Sequence, residues 1–326
     1  MMSTFKKKSF TSYLSHQTIL VIALFVVVMI FGIIEPVFFK PRVFFDVFAI
    51  VGEIGLMALG LTFVITTGGI DLGVGYNLQM SGIVFGLTWA TTQNLALAIA
   101  FTLVTGTLGG FFNGLIISRT RIPSLVTTLA TMYLYRGLSM IIAGSNNYAG
   151  FPDVLQKIST TRLFGFLPVQ FIYLLVLFFI LDFIYERGVL GRNLKGMGFN
   201  ENAVIYSGVN TKKILLGIYT FLGLLCGMAA IVYLGRFSAA KTSMGDNMNF
   251  EVITAVLLGG TSTMGGIGSM RGTLIGIIII GVLKKGFSLL NFSGNIYNFT
   301  LGLILILSLL LFSVMEEKKK VSSRKI

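Results

Sequence analysis

The chain has 326 residues, of which 55% are hydrophobic and only 11% charged. Soluble domains carry about 25% charged residues, so this composition cannot clothe a water-soluble globule of that size and describes a membrane protein. One cysteine, Cys226, rules out an internal disulfide, one histidine, His16, argues against a zinc or haem centre, and the net charge of +13 admits nucleic acid only until the basic residues are placed against a bilayer.

From the amino terminus, Lys6, Lys7 and Lys8 precede an apolar run from about 18 to 34. The run is long and no small-x-small cleavage site follows it, so it reads as a first span that is retained. At roughly 17–25 residues per span, later runs lie near 48–66, 72–90, 95–117, 124–143, 169–185, 214–234, 250–264, 272–290 and 296–314. The expectation is an all-α polytopic bundle of about ten transmembrane helices, filled by phenylalanine and packed through the many glycines. The membrane domain covers 18–315, between an amino-terminal tail at 1–17 and a basic tail at 316–326, and its longest internal loop is 186–213.

Charge then orients the bundle. With the amino terminus inside, the cytoplasmic group is Lys6, Lys7, Lys8, Arg119, Arg121, Arg187, Arg192, Lys195, Lys212, Lys213, Arg271, Lys318, Lys319, Lys320, Arg324 and Lys325. The outer group is only Lys40, Arg42, Lys157, Arg162, Arg236 and Lys241, with Arg136, Lys284 and Lys285 left within spans. This satisfies the positive-inside rule and places both termini in the cytoplasm. It also removes the case for nucleic acid, because positive charge spread over short loops and tails faces anionic lipid or a cytoplasmic partner.

Two stretches interrupt the apolar pattern. The first, Thr66-Thr67-Gly68-Gly69-Ile70-Asp71-Leu72-Gly73, sets a carboxylate among glycines between two spans; the second runs from Leu258 through Gly259, Gly260, Gly265, Gly266 and Gly268 to Ser269. Irregular backbone at membrane depth is tolerated only where protein or a water-filled cavity covers it. Paired interruptions in two halves point to a transporter binding region built from discontinuous helices, while tight turns between hairpin spans remain the plain alternative. Glycine stripes at 106, 110, 114 and at 268, 272, 276 read most simply as helix-packing faces.

Polar residues within spans are the candidates for a substrate path, because hydrocarbon penalises each unless it faces a cavity or a partner. They are Glu53, Asp71, Asn77, Gln79, Asn113, Arg136 and Glu251, with the broken backbone at Gly68, Gly69, Gly259 and Gly260. Amides and carboxylates with little net charge suit a neutral polyhydroxylated solute. The alternative is that they pair with one another or cap broken helices, as Asp71 could for the helix after it. Lys284-Lys285 is the odd feature: two cations near mid-span either snorkel to an edge or signal another substrate or partner. Between spans, a short helix over Glu201–Ser207 ending at Gly208 could dock in a groove of a soluble partner or rest on lipid.

Gly68-Gly69-Ile70-Asp71-Leu72-Gly73-Val74-Gly75, Asn113-Gly114-Leu115, Thr128-Leu129-Ala130-Thr131-Met132 and Arg136-Gly137 resemble the first half of the ribose-type sugar permeases. Gly191-Arg192, Gly198-Phe199-Asn200-Glu201-Asn202-Ala203, Ser207-Gly208-Val209, the Gly259-to-Ser269 stretch and Gly272-Thr273-Leu274-Ile275-Gly276 resemble the second, and the likeness spans about 45–312. The resemblance implies the bacterial cell-membrane subunit of an ATP-binding-cassette importer for a monosaccharide or small polyol. It implies as partners a cytoplasmic ATPase that binds ATP-Mg, an extracellular or periplasmic sugar-binding protein, and a second permease copy or related permease, with no cofactor or metal in this chain.

Asn202-Ala203-Val204-Ile205-Tyr206-Ser207-Gly208 resembles the Glu-Ala-Ala-x-x-x-Gly pattern of importer coupling loops, departing at Asn202 and Val204, with Glu201 next door. The resemblance therefore assigns Gly191, Arg192, Glu201, Asn202, Ala203 and Gly208 to ATPase docking. No Gly-x-x-x-x-Gly-Lys-Ser/Thr loop is present, so ATP hydrolysis is expected elsewhere, and no catalytic residue is assigned. Without the resemblance, an ion-coupled secondary transporter using Asp71, Glu53 or Glu251, or a membrane scaffold, would also fit.

Overall fold

The structure, a computed structural model, describes residues 16–120 and 122–323, with side chains from 17 to 310 apart from 121. Lys6, Lys7, Lys8, Arg121, Arg324, Lys325 and the side chains of Lys318, Lys319 and Lys320 lie outside that range. Twelve α-helices make up the described fold: α1 (His16–Ile34), α2 (Pro41–Thr66), α3 (Val74–Thr92), α4 (Leu95–Arg119), α5 (Ser124–Ala143), α6 (Asp153–Thr160), α7 (Val169–Arg187), α8 (Val189–Tyr206), α9 (Thr211–Phe237), α10 (Met248–Leu258), α11 (Met270–Leu289) and α12 (Gly294–Ser323). Two short antiparallel pairs decorate it, Tyr148–Ala149 with Ala239–Ala240 and Arg162–Leu163 with Leu167–Pro168. The protein is a polytopic helical membrane protein.

The core is built around α2, which is mostly apolar and buried without a break from Val51 to Thr66, Glu53 included. A helix of that kind has to be enclosed by others, and α7, α9, α10 and α11 enclose it. The glycine stripes make the tightest crossings. A Cβ on Gly106 of α4 would lie 2.6 Å from the Gly223 carbonyl oxygen of α9, and one on Gly227 would lie 3.0 Å from the Thr102 oxygen. Gly272 and Gly276 of α11 likewise leave no room for a Cβ against the carbonyls of Gly259 and Ala255. Both stripes are therefore packing faces, where bare backbones maximise van der Waals contact.

Side-chain caps mark several helix starts: Asn94 accepts from the Leu97 amide at 3.1 Å, Asn210 from Lys213 at 3.0 Å and Ser269 from Gly272 at 3.0 Å. Among the described residues seven helices, α1, α2, α4, α5, α7, α9 and α11, are long and apolar enough to cross a membrane, against the ten spans expected. Three expected spans are not among the seven; one of them, 296–314, lies on α12, whose described apolar part is Gly294–Leu310. The expected span over 250–264 is the 11-residue α10, which stops at Leu258 where Gly259-Gly260 follow. At 1.5 Å per residue it is roughly 16 Å long, about half a hydrocarbon core. The expected span at 72–90 is α3, whose first turns carry Tyr76, Asn77 and Gln79.

Candidate functional site

The two glycine-broken stretches are irregular, and they meet. Residues 67–73 join α2 to α3, and 259–269 join α10 to α11. Gly68, Gly260, Gly265 and Gly266 have φ between 80° and 88°, a region that side chains with a Cβ rarely enter. The amide of Gly266 donates to the Thr66 carbonyl at 2.8 Å, a hydrogen bond from one broken stretch to the end of the helix that precedes the other. A third backbone enters at this point. A Cβ on Gly198 of α8 would overlap the Gly266 nitrogen and the Thr66 oxygen, and one on Gly265 would sit 2.8 Å from the Gly198 Cα and 2.7 Å from the Gly68 nitrogen.

Hydroxyl groups tie this junction to the surrounding helices. The Thr66 hydroxyl meets the Tyr185 hydroxyl of α7 at 2.9 Å, and Thr62 meets Thr273 of α11 at 2.9 Å. Asn200, two residues after Gly198, has φ −161° and ψ 97° and kinks α8 into two helices. Its side chain accepts from the Ala203 amide at 3.1 Å, capping the second. Gly208, at φ 87°, ends that second helix with its amide on the Ile205 carbonyl at 2.9 Å. The short helix expected over Glu201–Ser207 is thus present, extended upstream by the segment that carries Gly198.

Of the six residues assigned to docking, Arg192, Glu201, Asn202, Ala203 and Gly208 are exposed. Gly191 is buried, with no room for a Cβ against the Tyr185 carbonyl. Phe199 and Tyr206 are 70% and 90% exposed, so the second half of α8 presents two large aromatic rings to its surroundings.

The residues expected on a substrate path divide into two groups. The first surrounds the start of α3. Asp71 is buried; one carboxylate oxygen accepts from the Gly73 amide at 2.7 Å and the other from Asn113 of α4 at 3.1 Å. The Asn113 carbonyl in turn accepts from the Tyr135 hydroxyl at 2.9 Å. Asn77 donates to the Gly106 carbonyl at 3.0 Å, and Gln79 donates to Ser139 at 2.6 Å while accepting from the Gly245 amide at 3.2 Å. The guanidinium of Arg136 lies 5.5 Å from the centre of the Tyr76 ring. Ser124 and Thr128 of α5 bond the backbone of Ile70 and Leu72, so protein covers the irregular chain here, as membrane burial demands.

The second group lies away from α8, from the middle of α2 to the far ends of α9 and α11. Glu53, wholly buried on α2, pairs with Arg236 near the end of α9. Glu251 on α10 receives Lys284 of α11 at 2.7 and 2.9 Å, and Lys285 reaches Asp46 of α2 at 2.9 Å. Asp46 also holds Arg162. The lysine pair therefore neither snorkels nor stands free; each member meets a carboxylate of the same chain. Asp46, Arg162, Asp246 and Asn249 are functional-looking residues that pattern reading did not single out. The Asn249 side chain accepts from the Gly75 amide at 2.6 Å and Asp246 from the Tyr76 hydroxyl at 3.0 Å, fastening α3 to the start of α10.

Among the described residues no group of three or more His, Cys, Asp or Glu could hold a metal ion. Residues 43–309 match the family described as branched-chain amino acid transport system / permease component. The ribose import permease protein of Bacillus subtilis is 34% identical over 292 residues, 89% of this chain and 90% of that one. That of Escherichia coli K12 is 33% identical over 293 residues, 89% and 91%. An autoinducer 2 import system permease protein of Enterobacter sp. strain 638 is 30% identical over 299 residues, 90% and 91%. No solved structure matches the chain.

Proposed function

Because the chain belongs to the branched-chain amino acid transport system / permease component family, we propose that it is the membrane subunit of an ATP-binding-cassette importer. It is a transport subunit and not an enzyme; a separate cytoplasmic ATPase binds ATP-Mg, and a binding protein outside the membrane delivers the cargo. The substrate is a monosaccharide or related small polyol, in keeping with the ribose and autoinducer 2 relatives. The excess of basic residues on one side supports a cytoplasmic α8 and cytoplasmic termini, with about ten membrane crossings when α3, α12 and α10 together with the broken stretch 259–269 that continues it are counted. Asp71, Asn113 and Gln79 hydrogen-bond within their own chain, while the Asn77 side chain donates to Gly106 and its oxygen has no partner among the described residues. Glu53, Asp71, Asn77, Gln79, Asn113, Arg136 and Glu251 are the polar residues proposed to border the substrate path, and the membrane partner is a second permease chain, either a copy or a relative.

One observation carries this reading most directly: α8 is exposed at its second half and abuts both broken stretches at its first. A push on the exposed end has a backbone route to the two places where the spans are interrupted. The ATPase docks on Arg192, Glu201, Asn202 and Ala203, with Gly191 allowing α8 to turn tightly beneath α7.

Gly208→Leu tests the docking role. Nothing lies within 4 Å of a Cβ there, so the branch point of the new side chain meets no neighbour; the substitution forces it into the left-handed region, at about 1–2 kcal/mol. The expected result is loss of ATPase co-purification or of ATP-driven uptake with membrane insertion intact, and a milder defect in Gly208→Asn, which tolerates that conformation. Unchanged ATPase binding and uptake in Gly208→Leu would remove the docking assignment.

A further inference from the structure

At the end of the bundle opposite α8, a cavity of about 300 Å³ opens between α2, α6, α7, α9 and α11. Arg162, Arg236 and Lys285 line it against a single lining carboxylate, Asp46. Asp46 is already shared between Arg162 and Lys285, and Arg236 is spoken for on one side by Glu53. With Glu53 included, three cations still face two carboxylates.

The hydrogen-bond inventory leans the same way. Arg162 Nη1 and Arg236 Nε have no acceptor among the described residues. A guanidinium offers five N–H donors and an ammonium three, and none of these groups can accept. Three buried oxygens at or behind the cavity are also unpartnered among the described residues, Gln170 Oε1, Ser159 Oγ and Glu53 Oε2, the last on the carboxylate that already holds Arg236. The first two are packed on glycines of neighbouring helices: a Cβ on Gly52 would lie 2.5 Å from Gln170 Oε1, and one on Gly235 would overlap the Ser159 hydroxyl. Glu53 stands behind the cavity lining, so the unmet charged groups on the cavity wall itself are cationic N–H donors.

We infer that this cavity binds a small oxyanion of the phosphate or carboxylate type, held by Arg162, Lys285 and Arg236, with the Ser159 hydroxyl able to turn and donate. Charge-assisted bonds to a planar guanidinium are the strong, geometrically selective kind, and a group with only acceptors matches the spare N–H donors of Arg162 and Arg236. The same chemistry is offered by free phosphate and by the headgroup phosphate of an anionic lipid.

The test uses the full chain purified with its ATPase. Inorganic phosphate is titrated calorimetrically in detergent and in phosphatidylcholine nanodiscs, and the titration is repeated with phosphatidylglycerol in the disc. Saturable binding is expected, weakened about tenfold or more in Arg162→Gln and in Lys285→Gln, each of which leaves Asp46 one cationic partner. Binding abolished by phosphatidylglycerol identifies the lipid headgroup as the occupant; binding indifferent to it identifies the free anion. Either pattern supports the site. No saturable binding by phosphate together with no effect of phosphatidylglycerol on wild-type thermal stability would overturn it. Equal phosphate affinity in wild type and both variants would overturn it as well. Gel filtration and circular dichroism of the variants separate lost binding from lost fold.

Discussion

Gly198→Leu is expected to abolish ATP-driven uptake while leaving the ATPase bound. Position 198 is walled by backbone: the Gly266 nitrogen, the Thr66 oxygen and, at 2.8 Å, the Gly265 carbonyl carbon. Backbone in two glycine turns and a helix end cannot rotate aside as a long side chain would. Even alanine overpacks the junction, at a cost typical of such insertions of about 1–3 kcal/mol, and leucine exceeds it. The strain is relieved by moving α8 away from both broken stretches, which breaks contact between the exposed helix and the gate without altering the exposed surface. Uptake in proteoliposomes should fall roughly tenfold or more in Gly198→Ala and beyond detection in Gly198→Leu, with ATPase co-purification retained in both. Normal uptake in Gly198→Leu would show that the junction transmits nothing.

The second large effect lies at the other end. Arg236→Leu is expected to destabilise the protein by about 3–5 kcal/mol, because it strands the Glu53 charge at a site with no exposure. The pair itself need not be strongly stabilising, since desolvation offsets much of the attraction. The double variant Glu53→Leu/Arg236→Leu should therefore recover most of the loss. Thermal unfolding of the four proteins of this cycle in detergent gives the coupling energy directly. Additive losses would mean that the two side chains act independently.

Which parts of this fold could be read from sequence follows from how local their causes are. Gly68-Gly69 and Gly259-Gly260 each stand among further glycine and polar residues, so both interruptions are legible in the sequence, whereas Gly109-Gly110, flanked by apolar residues, lies unbroken inside α4; the stop of the second α8 helix at Gly208 is legible too. The packing role of Gly106, Gly110 and Gly114 followed from their spacing of four. The span count did not follow, since a 15-residue apolar window looks the same whether its helix runs through, as in α11, or ends after 11 residues, as α10 does.

Long-range pairing was hidden. Lys284 and Lys285 stood out as anomalous cations, but their partners lie 33 and 239 positions away, and no spacing rule links Lys285 to Asp46. Arg162 looked like an ordinary loop cation because nothing local announces that its loop folds back over the start of α2. Gly198 belonged to a recognised motif, yet its place against Gly265 and Gly266 required three distant segments to be brought together. The signal was present only as a coincidence: three glycine-containing breaks in one chain, each followed by a new helix.

The most direct measurement is uptake of radiolabelled monosaccharides, tried as a panel, into proteoliposomes containing this chain with its ATPase and binding protein. It is compared with proteoliposomes holding this chain alone under an imposed proton or sodium gradient. Uptake that requires ATP inside, the ATPase and the binding protein, and that vanishes with Gly198→Leu, is the expected result. Gradient-driven uptake by the chain alone, lost instead on replacing Asp71 by asparagine, would contradict it and establish an ion-coupled carrier.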